Sequence, residues 1–320
     1  MKKILALFSP KEPSVPRMRE AIDGEFIFKR AEELTEEDMK DVQIILGNPP
    51  PKLLASCEKL EWLQLISAGT DGYNEPGVLP EGVLFTNATG AFGLAIAEHM
   101  LAGLLFLMKK IGVYYDEMKT HTWGDRGSVT SIYGTRTLIV GFGDLGSEFG
   151  IRMHALGSEV IGLRRSVQEK PDWLSGLYTM DKLDELLPEA DFVALCLPAN
   201  RETYHLMDAR RLGLMKDSAY ILNSGRGSAI DPKALLVALN NETIAGAVLD
   251  VTEPEPLPAD DPLWDAKNLF ISPHVSGGRH LEETYTRLFG IFTENLRRYQ
   301  NGEPLLNVVD PKTGHRKAPT

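Results

Sequence analysis

Short aliphatic and β-branched runs recur along the chain, each closed by polar, glycine or proline residues. In the first part these runs are Lys3–Phe8, Glu25–Lys29, Val42–Leu46, Trp62–Ile66 and Val83–Thr86. Segments of helical character lie between them. Pro16–Ile22 is amphipathic, and Thr35-Glu36-Glu37-Asp38 reads as an N-cap followed by acids in the first turn. A second series follows further on: Thr137–Val140, Glu159–Leu163, Asp191–Pro198, Ala219–Asn223, Ile244–Asp250 and Leu269–Ser272. Runs this short and this uniformly apolar predict strands buried on both faces of parallel sheets. Strand and helix in alternation predict an α/β fold.

Between the two series, from Gly93 to about Thr120, Leu94, Ala97, Leu101, Leu104, Leu105, Met108 and Ile111 recur at helical spacing. That helix is apolar around much of its circumference and must be covered. Gly112 is a candidate break. The expected cover is a second domain, a second subunit, or both, with a homodimer the usual solution. Leu281–Tyr299 predicts a last helix, and the polar tail Asp310–Thr320, with two prolines, is expected to be loose.

A length of 320 residues suits about two domains. The net charge of -11 makes a nucleic-acid partner a poor expectation, and an anionic substrate must then be held by local Arg or Lys. The 2 cysteines, Cys57 and Cys196, form no disulfide framework and suit a reducing cytoplasm. The N-terminal apolar run ends at Ser9-Pro10-Lys11-Glu12, too early for a signal peptide. The longest apolar tract, Ala91 to Met108, carries Glu98 and His99, which favours a buried helix over a membrane span.

The chemistry starts at Gly141-Phe142-Gly143-Asp144-Leu145-Gly146, a G-x-G-x-x-G run directly after the apolar strand Thr137–Val140. Gly141 permits a tight turn. Gly143 lets the backbone approach a pyrophosphate. Gly146 lets the next helix pack close to the strand. That helix is expected from Asp144 through Leu145, Phe149, Met153 and Leu156, stopping at Gly157, with its N-terminus facing phosphate. A bare βα turn without ligand is the alternative.

Other strand ends carry unusual residues. Asn223-Ser224-Gly225-Arg226-Gly227 sets an arginine between glycines, and its planar fork suits a carboxylate. Asp250-Val251-Thr252-Glu253-Pro254-Glu255-Pro256-Leu257-Pro258 is an acidic loop stiffened by proline, and composition does not choose which acid partners a histidine. Ser272-Pro273-His274-Val275-Ser276-Gly277-Gly278 places a histidine just past a strand. Hydride transfer at a carbinol carbon needs a group that gives and takes the hydroxyl proton near neutral pH, as histidine does. The loop Ser67-Ala68-Gly69-Thr70-Asp71-Gly72 follows another strand end, and reads equally as a carboxylate-binding loop or a surface turn.

In their order and joint presence these motifs resemble the D-isomer-specific 2-hydroxyacid dehydrogenases, which include glyoxylate/hydroxypyruvate reductases and phosphoglycerate dehydrogenases. The resemblance covers nearly the whole chain. It implies two Rossmann-like or flavodoxin-like parallel-sheet domains, the cofactor domain inserted in a discontinuous substrate domain. The boundaries are then residues 1–93 and 285–320 for the substrate domain, and 94–284 for the NAD(P)-binding domain. It implies that Arg226 binds and polarises a 2-oxo acid, that His274 is the proton donor and acceptor, and that Glu255 is its partner. The substrate carboxylate would rest on Ala68, Gly69 and Thr70, and Asp250 would contact the nicotinamide carboxamide. The remaining cofactor contacts are expected at Leu197, Pro198, Thr203, Ser224 and Gly277, and no metal is expected. Thr252 departs from the pattern, since many members carry an aromatic residue there. The chain is expected to lack the C-terminal regulatory domain of the longer phosphoglycerate dehydrogenases.

The second strand of this domain ends Arg164-Arg165-Ser166, where an NAD-binding site carries an acid for the ribose hydroxyls. Guanidinium groups pair with a 2′-phosphate that an acid would repel. The expectation is an NADPH-preferring reductase of small 2-oxo acids, glyoxylate or hydroxypyruvate, with NAD(H) possible if both arginines face solvent. A second reading is an NAD-dependent dehydrogenase of a larger 2-hydroxy acid such as 3-phosphoglycerate. A third, of another class, is a dinucleotide-sensing protein like the corepressors that share the fold. Trp123 and Tyr133 are either pocket walls or ordinary packing.

Overall fold

The computed structural model describes residues 1–166, 169–278, 281–311 and 314. The polar tail lies, apart from its first residues, outside the described residues. The chain divides into two units, Met1–Phe92 with Arg279–Thr320, and Gly93–Gly278.

In the first unit the apolar runs form β1 (Lys2–Ala6), β2 (Gly24–Phe28), β3 (Ile44–Leu46), β4 (Trp62–Gln64) and β5 (Leu84–Thr86), with helices α1 (Val15–Ala21) and α2 (Glu36–Met39) between them. All five strands are parallel, in the order β2-β1-β3-β4-β5. Strands β3 and β4 are buried at every position, as expected of central parallel strands. The helix of the acidic segment starts at the expected N-cap, Thr35, with acids in its first turn, and Thr35 and Asp38 form a capping box there. One face of the sheet packs Ile4, Ala6, Ile44 and Trp62 against Leu288, Phe289, Phe292 and Leu296 of the last helix, Glu282–Asn301. The C-terminal segment therefore completes the N-terminal core. The other face packs Leu5, Ile45, Leu63 and Phe85 against Met39, Leu53, Leu54 and Tyr73.

The second unit begins with α3 (Gly93–Met108) and α4 (Ile111–Lys119), followed by β6 (Arg136–Val140), α5 (Asp144–Ala155), β7 (Glu159–Arg164), β8 (Gly176–Thr179), α6 (Leu183–Leu186), β9 (Phe192–Leu195), α7 (Ala209–Leu212), β10 (Tyr220–Asn223), α8 (Pro232–Asn240), β11 (Gly246–Leu249) and β12 (Leu269–Ile271). The long helix expected through Thr120 breaks earlier than Gly112, at Lys109-Lys110, where Lys110 takes a φ of 55°. Gly112 has its own reason: a Cβ there would lie 2.5 Å from the Phe106 ring, so the glycine admits α4 beside the end of α3. The helix α8 was not marked by hydrophobic periodicity. Its start is signalled by Asp231, which accepts from the Lys233 and Ala234 N–H groups, and by Pro232 at the first position.

The seven strands are all parallel, in the order β12-β11-β10-β9-β6-β7-β8. On one face Met100, Leu104 and Met108 of α3 and Phe149 and Met153 of α5 cover Ile139, Val160, Ala194, Leu222 and Val248. On the other, Leu235 and Leu239 of α8 and Met207 and Leu212 cover Leu138, Val140, Val193, Leu195 and Ile221. From β6 the chain moves outward to β7 and β8, then returns to the other side of β6 to lay down β9. The direction of winding reverses between β6 and β9, the place where open α/β sheets bind ligands at their carboxyl edge. Among the described residues no helix is long and apolar enough to cross a membrane.

Candidate active site

Because all seven strands run the same way, their carboxyl ends share one edge. Read along it, the edge carries His274 after β12, Asp250 and Glu255 after β11, Ser224 and Arg226 after β10, Leu197 and Pro198 after β9, the glycine turn after β6, and Arg164 at the end of β7. Six strands at about 4.8 Å spacing spread these groups over roughly 24 Å.

The glycine turn lies at the reversal point. Gly141 has a φ of 99°, and a Cβ on it would lie 2.5 Å from the Cys196 carbonyl oxygen. A Cβ on Gly146 would lie 2.5 Å from the Gly141 carbonyl oxygen and 2.8 Å from Ile139 Cγ2, so its absence lets α5 sit directly on β6. Around Gly143 nothing lies within 4 Å of where a Cβ would be. Gly143 is the exposed N-cap of α5 and offers no side-chain cap to the first N–H groups of the helix, at the half-buried Asp144 and Leu145. A helix N-terminus that begins at a glycine with open space in front of it fits an anionic diphosphate. Arg164 is half-buried, and Arg165 and Ser166 are exposed, at the end of the neighbouring strand.

Burial also bears on Cys196, which borders this turn. Part of the residue reaches solvent, yet its dense surroundings push the thiol up to about 12. It is a neutral thiol at physiological pH and no nucleophile.

Arg226 is gripped from both sides. A Cβ on Gly225 would lie 2.6 Å from the Leu197 carbonyl oxygen, and one on Gly227 would collide with the Thr252 backbone. The two glycines therefore let the arginine's loop slot between the loops after β9 and β11. Asn223 ties the turn, accepting from the Gly225 N–H at 3.1 Å and donating to the Arg226 carbonyl at 2.9 Å. The Arg226 guanidinium donates to the Gly225 carbonyl at 2.8 Å. Its head stays half-buried at the strand edge.

The three acids of the next loop have three different partners. Glu255 accepts from the Thr252 N–H at 3.1 Å and meets His274 Nδ1 at 3.0 Å. Glu253 meets His205 Nε2 at 2.9 Å. Asp250 is 2% exposed, and its carboxylate receives the Ser272 hydroxyl at 2.6 Å, the Val275 and Ser276 N–H groups at 3.0 Å each, and the Ser276 hydroxyl. Four donors occupy the roughly four acceptor positions of a carboxylate. Those four donors tie the carboxylate to the turn that carries His274. His274 has a φ of 52°, and its side chain is 51% exposed, with Nδ1 on Glu255. A carboxylate on one ring nitrogen orients the imidazole and turns the other nitrogen outward.

The remaining expected contacts have mixed fates. Leu197 and Ser224 are 9% exposed, and Pro198 is exposed. The Thr203 hydroxyl donates to the Pro198 carbonyl at 2.8 Å and caps the Asn200 N–H at 3.0 Å, so it folds the 198–203 turn. Gly277 packs near Ile96 of α3. Ala68, Gly69 and Thr70 belong to the other unit, after β4. There Asn87 donates to the Ala68 carbonyl and the Ser67 hydroxyl to the Gly69 carbonyl, each at 2.7 Å, which fixes the loop's backbone. Trp123 and Tyr133 are 103% and 81% exposed, and neither is part of a core. Among the described residues no three His, Cys, Asp or Glu side chains gather as a metal site.

The profile of the family described as D-isomer specific 2-hydroxyacid dehydrogenase, NAD binding domain, matches residues 101–276. The chain belongs to the D-isomer-specific 2-hydroxyacid dehydrogenases. This family's enzymes depend on NAD(P), and its two parallel-sheet domains are the ones found here. A solved family protein from Aeromonas salmonicida is 31% identical, with a TM-score of 0.84 over 97% of this chain and 99% of that one. A D-isomer specific 2-hydroxyacid dehydrogenase from Xanthobacter autotrophicus, solved with NADPH and MES, is 27% identical, with a TM-score of 0.81 over 98% and 99% of the two chains. The glyoxylate reductase of Korarchaeum cryptofilum is 32% identical over 267 residues, 81% of this chain and 79% of its own.

Proposed function

We propose that this 2-hydroxyacid dehydrogenase is an NADPH-preferring reductase of small 2-oxo acids of the glyoxylate or hydroxypyruvate type, forming D-2-hydroxy acids. The observation that carries the reaction is the His274–Glu255 pair one strand away from the Arg226 loop, on the edge that also bears the glycine turn. In this reading Arg226 holds the carboxylate and carbonyl of the 2-oxo acid with its planar fork. Ala68, Gly69 and Thr70 are assigned to the same carboxylate from the family resemblance. When bound, a nicotinamide dinucleotide supplies the hydride that C2 of the substrate receives. His274 gives its Nε2 proton to the carbonyl oxygen, which becomes the hydroxyl. Glu255 keeps Nδ1 protonated and stabilises the imidazolium before the transfer. The dinucleotide's pyrophosphate lies on Gly143, Asp144 and Leu145. Its remaining contacts come from Leu197, Pro198, Ser224 and Gly277, with Thr203 shaping the loop between them. Asp250 serves by holding the turn that carries His274.

The NADPH preference rests on Arg164, Arg165 and Ser166 at the end of β7, with no acid among them. The Xanthobacter relative solved with NADPH supports it. A cytoplasmic homodimer belongs to the same reading. Helix α4 buries none of its residues, and Ile111, Val113, Tyr115, Met118 and Trp123 stand exposed along it and just beyond. An apolar surface of that kind marks an interface. The test is a panel of 2-oxo acids assayed with NADPH and with NADH by loss of absorbance. Turnover of glyoxylate or hydroxypyruvate, higher in kcat/KM with NADPH, is the expected result. Faster turnover of 3-phosphohydroxypyruvate with NADH would favour the phosphoglycerate reading instead.

A further inference from the structure

His99 lies outside every motif, yet it stands at the back of the turn that bears His274. Its helix is drawn onto the sheet by Gly103, where a Cβ would lie 2.6 Å from Val248 and 3.3 Å from Phe270. His99 is one helical turn earlier on the same face. The close approach of α3 to β11 and β12 therefore brings its ring to the carboxyl ends of those strands. There His99 Nε2 lies 2.8 Å from the Ser272 hydroxyl and 3.9 Å from Asp250 Oδ1.

The proton order of this chain follows from what each group offers. The Asp250 side chain accepts all four of its hydrogen bonds. The Ser272 hydroxyl has a single proton, and at 2.6 Å it gives that proton to Asp250. The hydroxyl oxygen is then an acceptor toward His99, so His99 carries its proton on Nε2. Downstream, Asp250 receives the Val275 and Ser276 N–H groups, and its carbonyl receives the His274 N–H at 2.8 Å. The turn that follows the left-handed His274 is thus held, at Val275 and Ser276, by a carboxylate whose orientation depends on Ser272, and that of Ser272 on His99.

We propose that His99 is a positioning residue, acting through Ser272 and the buried Asp250 carboxylate to hold the turn that presents His274. The inference rests on the assignment of His274 as the proton donor. It says that loss of the Nε2 donor loosens His274 without touching the cofactor's seat at the glycine turn.

The test uses the full chain with His99→Leu, His99→Gln and Ser272→Ala, assayed with NADPH and the best 2-oxo acid. One lost hydrogen bond to a hydroxyl corresponds to roughly a three- to tenfold fall in kcat. His99→Leu is expected to show that fall with the KM for NADPH unchanged. His99→Gln, whose amide still donates, recovers most of the rate. In a Ser272→Ala background His99→Leu has no further effect, because the two act as one chain. Wild-type kcat in His99→Leu, no recovery with Gln, or an equal additional fall on top of Ser272→Ala overturns the proposal. If the wild type reduces no 2-oxo acid, the functional reading fails by itself, and histidine ¹⁵N shifts decide the inference. His99 should resonate as the Nε2-protonated tautomer, and the His274 signals should move in His99→Leu and return in His99→Gln. Unmoved His274 signals would then refute it.

Discussion

Two glycines three residues apart should respond in opposite ways to the same added methyl group. In Gly146→Ala the new Cβ meets the Gly141 carbonyl oxygen at 2.5 Å and Ile139 Cγ2 at 2.8 Å. One of these is backbone, so α5 must lift from β6. Overpacking of this kind costs about 1–3 kcal/mol, and alanine's better helix propensity returns less than about 1 kcal/mol of it. For a domain of about 150–250 residues a net loss of about 1–2 kcal/mol corresponds to a fall in Tm of roughly 2–8 °C. In Gly143→Ala the methyl meets nothing within 4 Å, and the backbone φ of -109° lies outside the left-handed region. The fold should therefore keep its Tm within about 1 °C. The methyl instead occupies the space through which a diphosphate reaches the helix N-terminus. Losing about 1.4 kcal/mol of that contact weakens NADPH binding about tenfold. Thermal unfolding followed by circular dichroism, and a fluorescence titration with NADPH, separate the two effects. If Gly143→Ala binds NADPH as tightly as the wild type, the pyrophosphate does not lie on this turn. If it melts as early as Gly146→Ala, the space in front of Gly143 is not open.

The arginines at the end of β7 give a second test. Arg164→Asp should reverse the cofactor preference by repelling a 2′-phosphate, lowering kcat/KM with NADPH at least tenfold while sparing that with NADH. A wild type that favours NADH tenfold would contradict the premise. For His274, the proposed proton donor, substitution by alanine should lower kcat on the order of a hundredfold or more. Glu255→Gln leaves the ring in place and weakens the imidazolium, so it should fall between that variant and the wild type. Full turnover by His274→Ala would move the acid–base role elsewhere.

Much of this was legible along the chain because parallel strands buried on both faces must be short and apolar, and their ends must then be polar. That is why the glycine turn, Arg226 and His274 stood out where strands stop. Strand ends differed by up to three residues, since the last residues of an apolar run can leave the sheet, as Cys196, Leu197 and Pro198 do after β9. The break before α4 was not legible at Gly112, because it came from a left-handed Lys110 and the packing of Phe106.

The sequence alone determined the order of the motifs, the alternation that makes two parallel sheets, and the residue types at each strand end. It did not determine how the acids of the Asp250–Pro258 loop divide their work. Tertiary structure sent Asp250 beneath the turn, Glu253 to His205 and Glu255 to His274. Those choices depend on side-chain directions in irregular backbone, where no repeating period relates a residue's number to the way it points. The part played by His99 was hidden for a related reason. On α3 it reads as one polar residue in an apolar helix, and only the close approach permitted by Gly103 sets it against a serine 173 positions away.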